Sequence, residues 1–290
     1  MQTAAVPAAD VTISIPCHRS GPYIAQAVES LLGQTYRNLT VVVVNDGDPD
    51  PPWPLLAHLD DPRLVRFDLS ANHGRYFADA VVLEWTTSPY FLVQDSDDWS
   101  DPKRVETLLL ELRRQHAGAA VSARRVEGAG ASQEIQQWPL LGTPLAERME
   151  HRVNHQGLFR VDALRRVGGF HPGFRIGYDT LLMNLLEMVD RVVAVDTPLY
   201  YARVRPGSLT TSPDTGFGSR QRAVAQGRLE RLYTHALQVY RRYLTGATGA
   251  DELAGAIRRL VLGSSRPADV AALRTEVTRL SRVRSPVNGR

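Results

Sequence analysis

The chain of 290 residues predicts an α/β fold built on a doubly wound, mostly parallel sheet. Three observations predict it. Short β-rich runs alternate with amphipathic helical patterns through the first half, the order that crossover connections produce. One run, LTVVVV at Leu39–Val44, is apolar on both faces, as a strand covered on both sides must be. The acidic stretches NDGD and QDSDDW follow strands, at the carboxyl ends where open α/β sheets bind ligands.

The elements follow in order. VTISI (Val11–Ile15) reads as a first strand, ended by Pro16. Tyr23–Gln34 places Ile24, Ala27, Val28, Leu31 and Leu32 on one helical face. Leu39–Val44 runs into NDGDPDPPWP, which no regular element can occupy. LVRF (Leu64–Phe67) is a third strand, Arg75–Trp85 a second crossover helix, and Tyr90–Val93 a fourth strand. Asp101 and Pro102 supply an N-cap and a first-position proline for a helix to about His116. AAVSA (Ala119–Ala123) is a fifth strand. The period breaks from Val126 to about Arg148, where GAGASQ and QQWPLLGTP read as a mobile loop. A short helix at Asp162–Val167, a GGFHPG turn and a helix from Asp179 to Val189 come next, then strands near Val192–Val195 and Leu199–Val204. Gly218 to the end is helical in pattern, broken near Gly246 and Pro267. This divides the chain into a domain at 1–217, with halves at about 10–125 and 126–217, and a helical region at 218–290.

Composition narrows the function classes. A hydrophobic fraction of 43% with 22% charged residues is ordinary for a soluble globular chain. No apolar run approaches the roughly 20 residues of a membrane span, and MQTAAVPAAD has no signal-peptide pattern. Cys17 is the only cysteine, which excludes internal disulfides and cysteine-built zinc sites. A cytoplasmic location is the expectation. The net charge of +3 gives no reason to expect nucleic-acid binding. It is unevenly spread: from Gly218 onward there are 14 Arg against five acids, whereas the first 217 residues carry 20 Lys+Arg and 26 acids. The basic tail is a solvated helix face, or a contact for an acceptor lipid, the inner membrane surface or a second copy.

The stretch YFLVQDSDDW (Tyr90–Trp99) concentrates Asp95, Asp97 and Asp98 directly after a core strand. Unpaired carboxylates are costly to bury, and Asp101 already accounts for the helix cap. A hard cation bridging them to a phosphate, Mg²⁺ or Mn²⁺, stands at this point beside a solvated acidic turn. His151 and His155 have the i, i+4 spacing of a helical metal pair, but with no carboxylate nearby in sequence ordinary polar packing is the better account. Trp138 either stacks on an acceptor ring or covers the core.

The ordered series of motifs resembles the family 2 glycosyltransferases with the GT-A fold. VTISIPCHRSGPYIAQAVESLLGQTYRNLTVVVVNDGDPD follows their opening pattern, NHGRYFADAV is similar to their N-x-G segment, and YFLVQDSDDW to their D-x-D strand end. LFRVDALRRVGGF, GYDTLLMNLL and LYYARVRPGSLT follow in the family's order. The resemblance covers about Val11 to Thr210 and implies a Rossmann-like nucleotide-sugar-binding half and an acceptor half. By position it implies that Asp46 and Pro16 flank the nucleotide base, and that Arg75, Asp95, Asp98 and Arg205 contact the donor. It further implies that Asp97 and Asp95 hold Mn²⁺ or Mg²⁺, and that Asp179 is the catalytic base. An N-cap role for Asp179 and an Asx-turn role for Asp46 are the structural alternatives.

The sequence departs from the family pattern at several points. Tyr178 stands where an acid usually precedes the catalytic Asp, Cys17-His18-Arg19 follow Pro16, Ala80 replaces an Asn, and Arg205 replaces a His. The resemblance implies single-displacement transfer from a nucleotide-diphosphate sugar, UDP-linked or dTDP-linked, to a glycan, lipid-linked or small-molecule acceptor. No Q-x-x-R-W processive signature is present, which favours one sugar per event. A dehydrogenase is poorly supported, because no G-x-G-x-x-G follows the first strand. A pyrophosphorylase-like enzyme and a non-catalytic binding module remain as alternatives.

Overall fold

The computed structural model describes residues 9–128 and 134–283. The five residues 129–133 of the GAGASQ segment and the first eight of the N-terminal stretch lie outside it. Strands β1 (Val11–Cys17), β2 (Leu39–Asn45), β3 (Leu64–Asp68) and β4 (Tyr90–Val93) pair in parallel in the order β3-β2-β1-β4. Chain order reverses between β1 and β4, so the loops after these strands open onto one crevice, the place where such sheets take ligands.

Beyond β4 the sheet continues through β8 (Leu158–Arg160), β6 (Ala119–Glu127), β9 (Val192–Arg203) and β5 (Trp99–Ser100), with β7 (Glu134–Gln136) paired to β6. Here pairing is mixed: β4·β8, β6·β8, β6·β7 and β5·β9 are antiparallel and β6·β9 parallel.

Two cores cover the faces of the sheet, and β2 shows how one strand serves both. Val41 and Val43 pack with α1 (Tyr23–Leu32) and α3 (Arg104–Arg114). Val42 and Val44 pack into the other core with α2 (Arg75–Trp85), α4 (Val161–Arg166) and α5 (Tyr178–Val189). The C-terminal helices α6 (Arg220–Leu244), α7 (Ala250–Gly263) and α8 (Pro267–Leu280) extend that second core through Leu229, Tyr233, Ile257, Val261 and Leu280. Their apolar faces are thus buried, and no helix among the described residues is long and apolar enough to cross a membrane.

Several elements differ from the sequence expectation. Pro16 does not end β1; the strand continues to Cys17, with Pro16 opposite Val44. Ser14 O accepts from Gln94 on the β4 side and Cys17 O from Asp46 on the β2 side. By alternation Pro16 faces the β4 side, where pairing has stopped at Ser14, so its missing N–H removes no ladder bond. The helix expected from Asp101 begins at Arg104; Asp101 instead caps the preceding turn, its Oδ1 accepting from Lys103 N at 2.8 Å. The segment read as a loop from Val126 contains the end of β6 and β7. The two strands expected near Val192 and Leu199 are one, with a register shift opposite Ala123 absorbing the residues around Pro198. β5, β7 and β8 are too short to leave a period in the sequence.

If α7 is part of the second core, Ile257→Ala should lower the unfolding free energy by about 2–5 kcal/mol, measured by urea titration. A change under about 0.5 kcal/mol, the usual surface value, would contradict that packing.

Candidate active site

The sequence-selected acids come from two strand ends and one helix start, and the fold brings them to the same edge. Asp46 follows β2; Asp95, Asp97 and Asp98 follow β4; Asp179 is the second residue of α5. The residues that join them lie at the start of α2. His73 N and Gly74 N donate to Asp46 Oδ1 and Oδ2 at 2.7 and 2.8 Å. Arg75 Nη1 pairs with Asp95 Oδ1, and Tyr76 Oη donates to Asp179 Oδ1 at 2.6 Å. Four consecutive residues therefore touch three of the five acids.

Local backbone requirements explain why the sequence folds this way. Gly47 has φ +63°, and a Cβ there would lie 2.4 Å from Ala71 C and Asn72 N. Only glycine lets the β2 loop press against the segment that leads into α2. Asp46 is 2% exposed and spends both oxygens on that segment, so it ties two loops together instead of forming a turn on its own chain. Burial raises its pKa, against the opposing pull of the two N–H donors. Pro16, beside it at the end of β1, has no described contact with Asp46.

Arg75 is the cation at the centre. Besides Asp95 it approaches Asp79 Oδ2 at 3.5 Å, and the fully buried Asp79 accepts from Ser14 Oγ at 2.7 Å. Burial opposes the charge of Asp95, but Arg75, His155 and Gln156 outweigh it and hold the carboxyl at about 2. Gln156 Nε2 donates to Asp95 Oδ2 at 2.6 Å.

Asp97 and Asp98 face elsewhere. Asp97 is not in an exposed loop; its side chain is 18% exposed and its Oδ2 accepts from Arg205 Nε at 2.7 Å. Among the described residues its Oδ1 takes no hydrogen bond. Asp98 is buried, accepting from Tyr200 Oη at 2.6 Å and Arg203 N at 2.7 Å. Burial, followed by the charges of Asp95 and Asp97, pushes its carboxyl well above the usual range.

Asp179 is not an N-cap. The cap position is Gly177, in the left-handed region with φ 78° and no side-chain cap bond. Asp179 lies in the first helical turn, where the helix dipole favours a negative charge. Burial opposes that charge, yet His155 and Tyr76 outweigh it and hold the carboxyl well below its ordinary value. Tyr178 turns inward: it is fully buried and donates to Gly169 O at 2.8 Å.

Tyr76, Asp79, His155, Gln156, Tyr200 and Arg203 were not singled out as partners of these acids from sequence. His155 stood out only for its spacing to His151, but the two lie on an irregular segment and not on a helix. The carboxylate partner absent from its sequence surroundings is Asp179, with Nδ1 3.5 Å from Oδ2. Trp138 packs against the second core and donates to Ser122 O at 2.9 Å. Among the described residues no cluster of three or more His, Cys, Asp or Glu is placed to enclose a metal. Asp97 keeps one oxygen free for a hard cation, and Asp95 would join it only by giving up Arg75 or Gln156; such a cation would draw its remaining ligands from water and phosphate.

The depressed carboxyl of Asp95 gives a pH test. An unfolded Asp titrates near 3.9, so the ion pairs contribute fully above about pH 4 and are lost as pH falls towards 2. Between pH 5 and 2 the wild type should lose on the order of 2 kcal/mol more stability than Asp95→Asn, read from urea midpoints. Parallel acid profiles would mean that Asp95 is not held ionised.

Residues 12–171 match the profile of Glycosyl transferase family 2. Glycosyltransferase GlyA of Streptococcus pneumoniae serotype 4 is 24% identical over 69% of this chain and 31% of its own length. Hyaluronan synthase of Pasteurella multocida is 33% identical over 74% of this chain and 22% of its own length. The chain thus spans less than a third of either relative. A crystal structure of residues 1–349 of TarS from S. aureus, in complex with UDP-GlcNAc, superposes with a TM-score of 0.61 at 16% identity, over 95% of this chain and 81% of that one. The fold is of the GT-A type, and the family match over more than half of its length places this chain in Glycosyl transferase family 2.

Proposed function

We infer that the chain transfers one sugar from a nucleoside-diphosphate sugar, with a UDP-sugar as the leading donor, to an acceptor hydroxyl with inversion at the anomeric carbon. One observation carries this reading: His73 to Tyr76 hold Asp46, Asp95 and Asp179 along a single edge of the sheet. In this reading Asp46 faces the nucleotide base, Asp95 the diphosphate and Asp179 the anomeric carbon. Family membership supports the reaction class, and the UDP-GlcNAc and UDP complexes of TarS support the donor class.

In this mechanism Asp46, beside Pro16, accepts the N3–H of a pyrimidine with lone pairs that His73 and Gly74 leave free. Arg205 swings between Asp97 and the diphosphate, and Arg75 balances Asp95 while the donor is absent. Mn²⁺ or Mg²⁺, held by Asp97 and Asp95, would act as a Lewis acid that neutralises charge on the departing diphosphate. Asp98, fixed by Tyr200 and Arg203, shapes the loop that presents Asp97.

Asp179 is the general base. Tyr76 occupies Oδ1, which leaves Oδ2 to take the acceptor proton. As that proton transfers, the acceptor oxygen forms its bond to C1, the bond from C1 to the diphosphate oxygen breaks, and the nucleoside diphosphate leaves. Its depressed pKa keeps Asp179 ionised at neutral pH. The acceptor is a glycan, a lipid-linked glycan or a small molecule, and relatives named as polysaccharide synthases favour a glycan.

Calorimetry tests the donor side. UDP should bind more tightly with Mn²⁺ than without, and Asp97→Asn should abolish that difference while the melting curve stays cooperative. Equal affinity with and without metal in both proteins would reject the metal role and leave Arg205 as the counter-charge.

The chemical step has its own test. Asp179→Asn should bind UDP-sugar almost normally yet transfer about 10²–10⁴ times more slowly, and NMR of the glycosidic proton should show the configuration opposite to the donor's. Near-wild-type turnover would remove Asp179 as the base, and retained configuration would reject single displacement.

A further inference from the structure

The segment entering β8 carries two polar residues that the mechanism above leaves unused. His155 and Gln156 are adjacent in the chain, but they reach different acids. His155 Nδ1 lies 3.5 Å from Asp179 Oδ2, and Gln156 Nε2 donates to Asp95 Oδ2 at 2.6 Å. They repeat from the opposite side what Arg75 and Tyr76 do from α2, where Arg75 pairs with Asp95 and Tyr76 with Asp179.

The backbone of this pair is held firmly. Gln156 O accepts from the fully buried Arg104, Nη2, at 2.9 Å. Gly157 O accepts from Val93 N at 3.1 Å. A Cβ at Gly157 would come within 2.8 Å of Ala120 O, so the chain passes as close to β6 as glycine permits. With the backbone fixed, the freedom left to the pair lies in its two side chains.

The side chains, by contrast, have unused capacity. His155 is 4% exposed. Both of its ring nitrogens, and Oε1 of Gln156, are buried without a hydrogen-bond partner in the protein. Such atoms are costly to leave unpaired and call for a specific reason. The approach of His155 to Asp179 is an ion-pair distance and not a formed hydrogen bond, and catalytic hydrogen bonds commonly tighten only in the substrate complex.

We propose that His155 and Gln156 are a positioning pair that couples donor engagement at Asp95 to alignment of the base. The proposal rests on the assignment of Asp179 as that base. A sugar diphosphate that draws on Asp95 frees the Gln156 side chain from Oδ2, and His155, adjacent on the same fixed backbone, turns onto one lone pair of Asp179 Oδ2 and leaves the other for the acceptor proton. Oδ1 is already fixed by Tyr76, so this second contact sets the carboxylate plane against the acceptor.

The probe is UDP-GlcNAc, with UDP release to water giving kcat and calorimetry giving Kd. His155→Ala and Gln156→Ala should each lower kcat about tenfold or more while Kd changes less than about threefold. His155→Gln, which keeps an N–H near the same place, should recover part of the loss. The double variant should lose little more than the worse single one, the non-additivity expected of residues that act as a unit. Unchanged kcat, multiplying losses, or a Kd that rises in step with the fall in kcat would overturn the coupling. Failure of the underlying assignment looks different: the wild type would not bind UDP-GlcNAc, or Asp179→Asn would turn over normally. Loss of turnover in Asp179→Asn with intact turnover in the pair variants would reject the pair alone.

Discussion

Four consecutive residues, His73 to Tyr76, hold three acids that come from distant points of the chain, and the rest of the site depends on that contact. The backbone of His73 and Gly74 satisfies Asp46, the guanidinium of Arg75 neutralises Asp95 and approaches Asp79, and the hydroxyl of Tyr76 fixes Asp179. Removing one partner of a buried ion pair leaves the other charge uncompensated, at a cost of about 3–5 kcal/mol. Arg75 is thus a structural requirement of the site as well as a candidate donor contact. The second core underwrites the arrangement, because α2, which begins with Arg75, is buried along most of its length and packs against both β1 and α8.

The concentration of negative charge after β4 follows from the same constraint. Each of its acids has a different partner: Arg75 and Gln156 for Asp95, Arg205 for Asp97, Tyr200 and Arg203 N for Asp98. Arg104 stiffens the base of the loop, fully buried and bonded to Gln94, Ser100 and the carbonyls of Val93 and Gln156. It stacks over Tyr200 at 4.7 Å. Burial brings its pKa down to about 10, still well above neutrality. The loop is consequently anchored through arginine side chains at both its inner and outer ends, and among the described residues only Asp97 of its three acids keeps an oxygen without a hydrogen bond.

Much of this fold was legible in the sequence. LTVVVV declared a strand covered on both faces, and the bounds of α2 and β4 coincide with the periodicity. Elements with no period were not legible: β5 and β8 are two and three residues long and exist only because neighbouring strands pair with them. Pro16 misled because its acceptability depends on which side β4 stops pairing, a tertiary fact. Of the site, the acids could be named, since charge placed after a core strand has few structural excuses. Their partners could not be. Tyr76 lies 103 residues from Asp179, and Gln156 61 from Asp95, and no local pattern encodes such approaches. The spacing of His151 and His155 pointed to a helix that the chain does not form there.

The central claim is that the edge assembled by His73 to Tyr76 is one continuous donor site ending at Asp179. A crystal structure of the chain with UDP and Mn²⁺ tests it most directly. The account predicts uracil against Asp46 and Pro16, the diphosphate beside Asp97 with Arg205 released from it, and the terminal phosphate directed towards Asp179. A nucleotide bound away from this edge, with the contacts of Asp46, Arg75 and Asp97 unchanged, would contradict it.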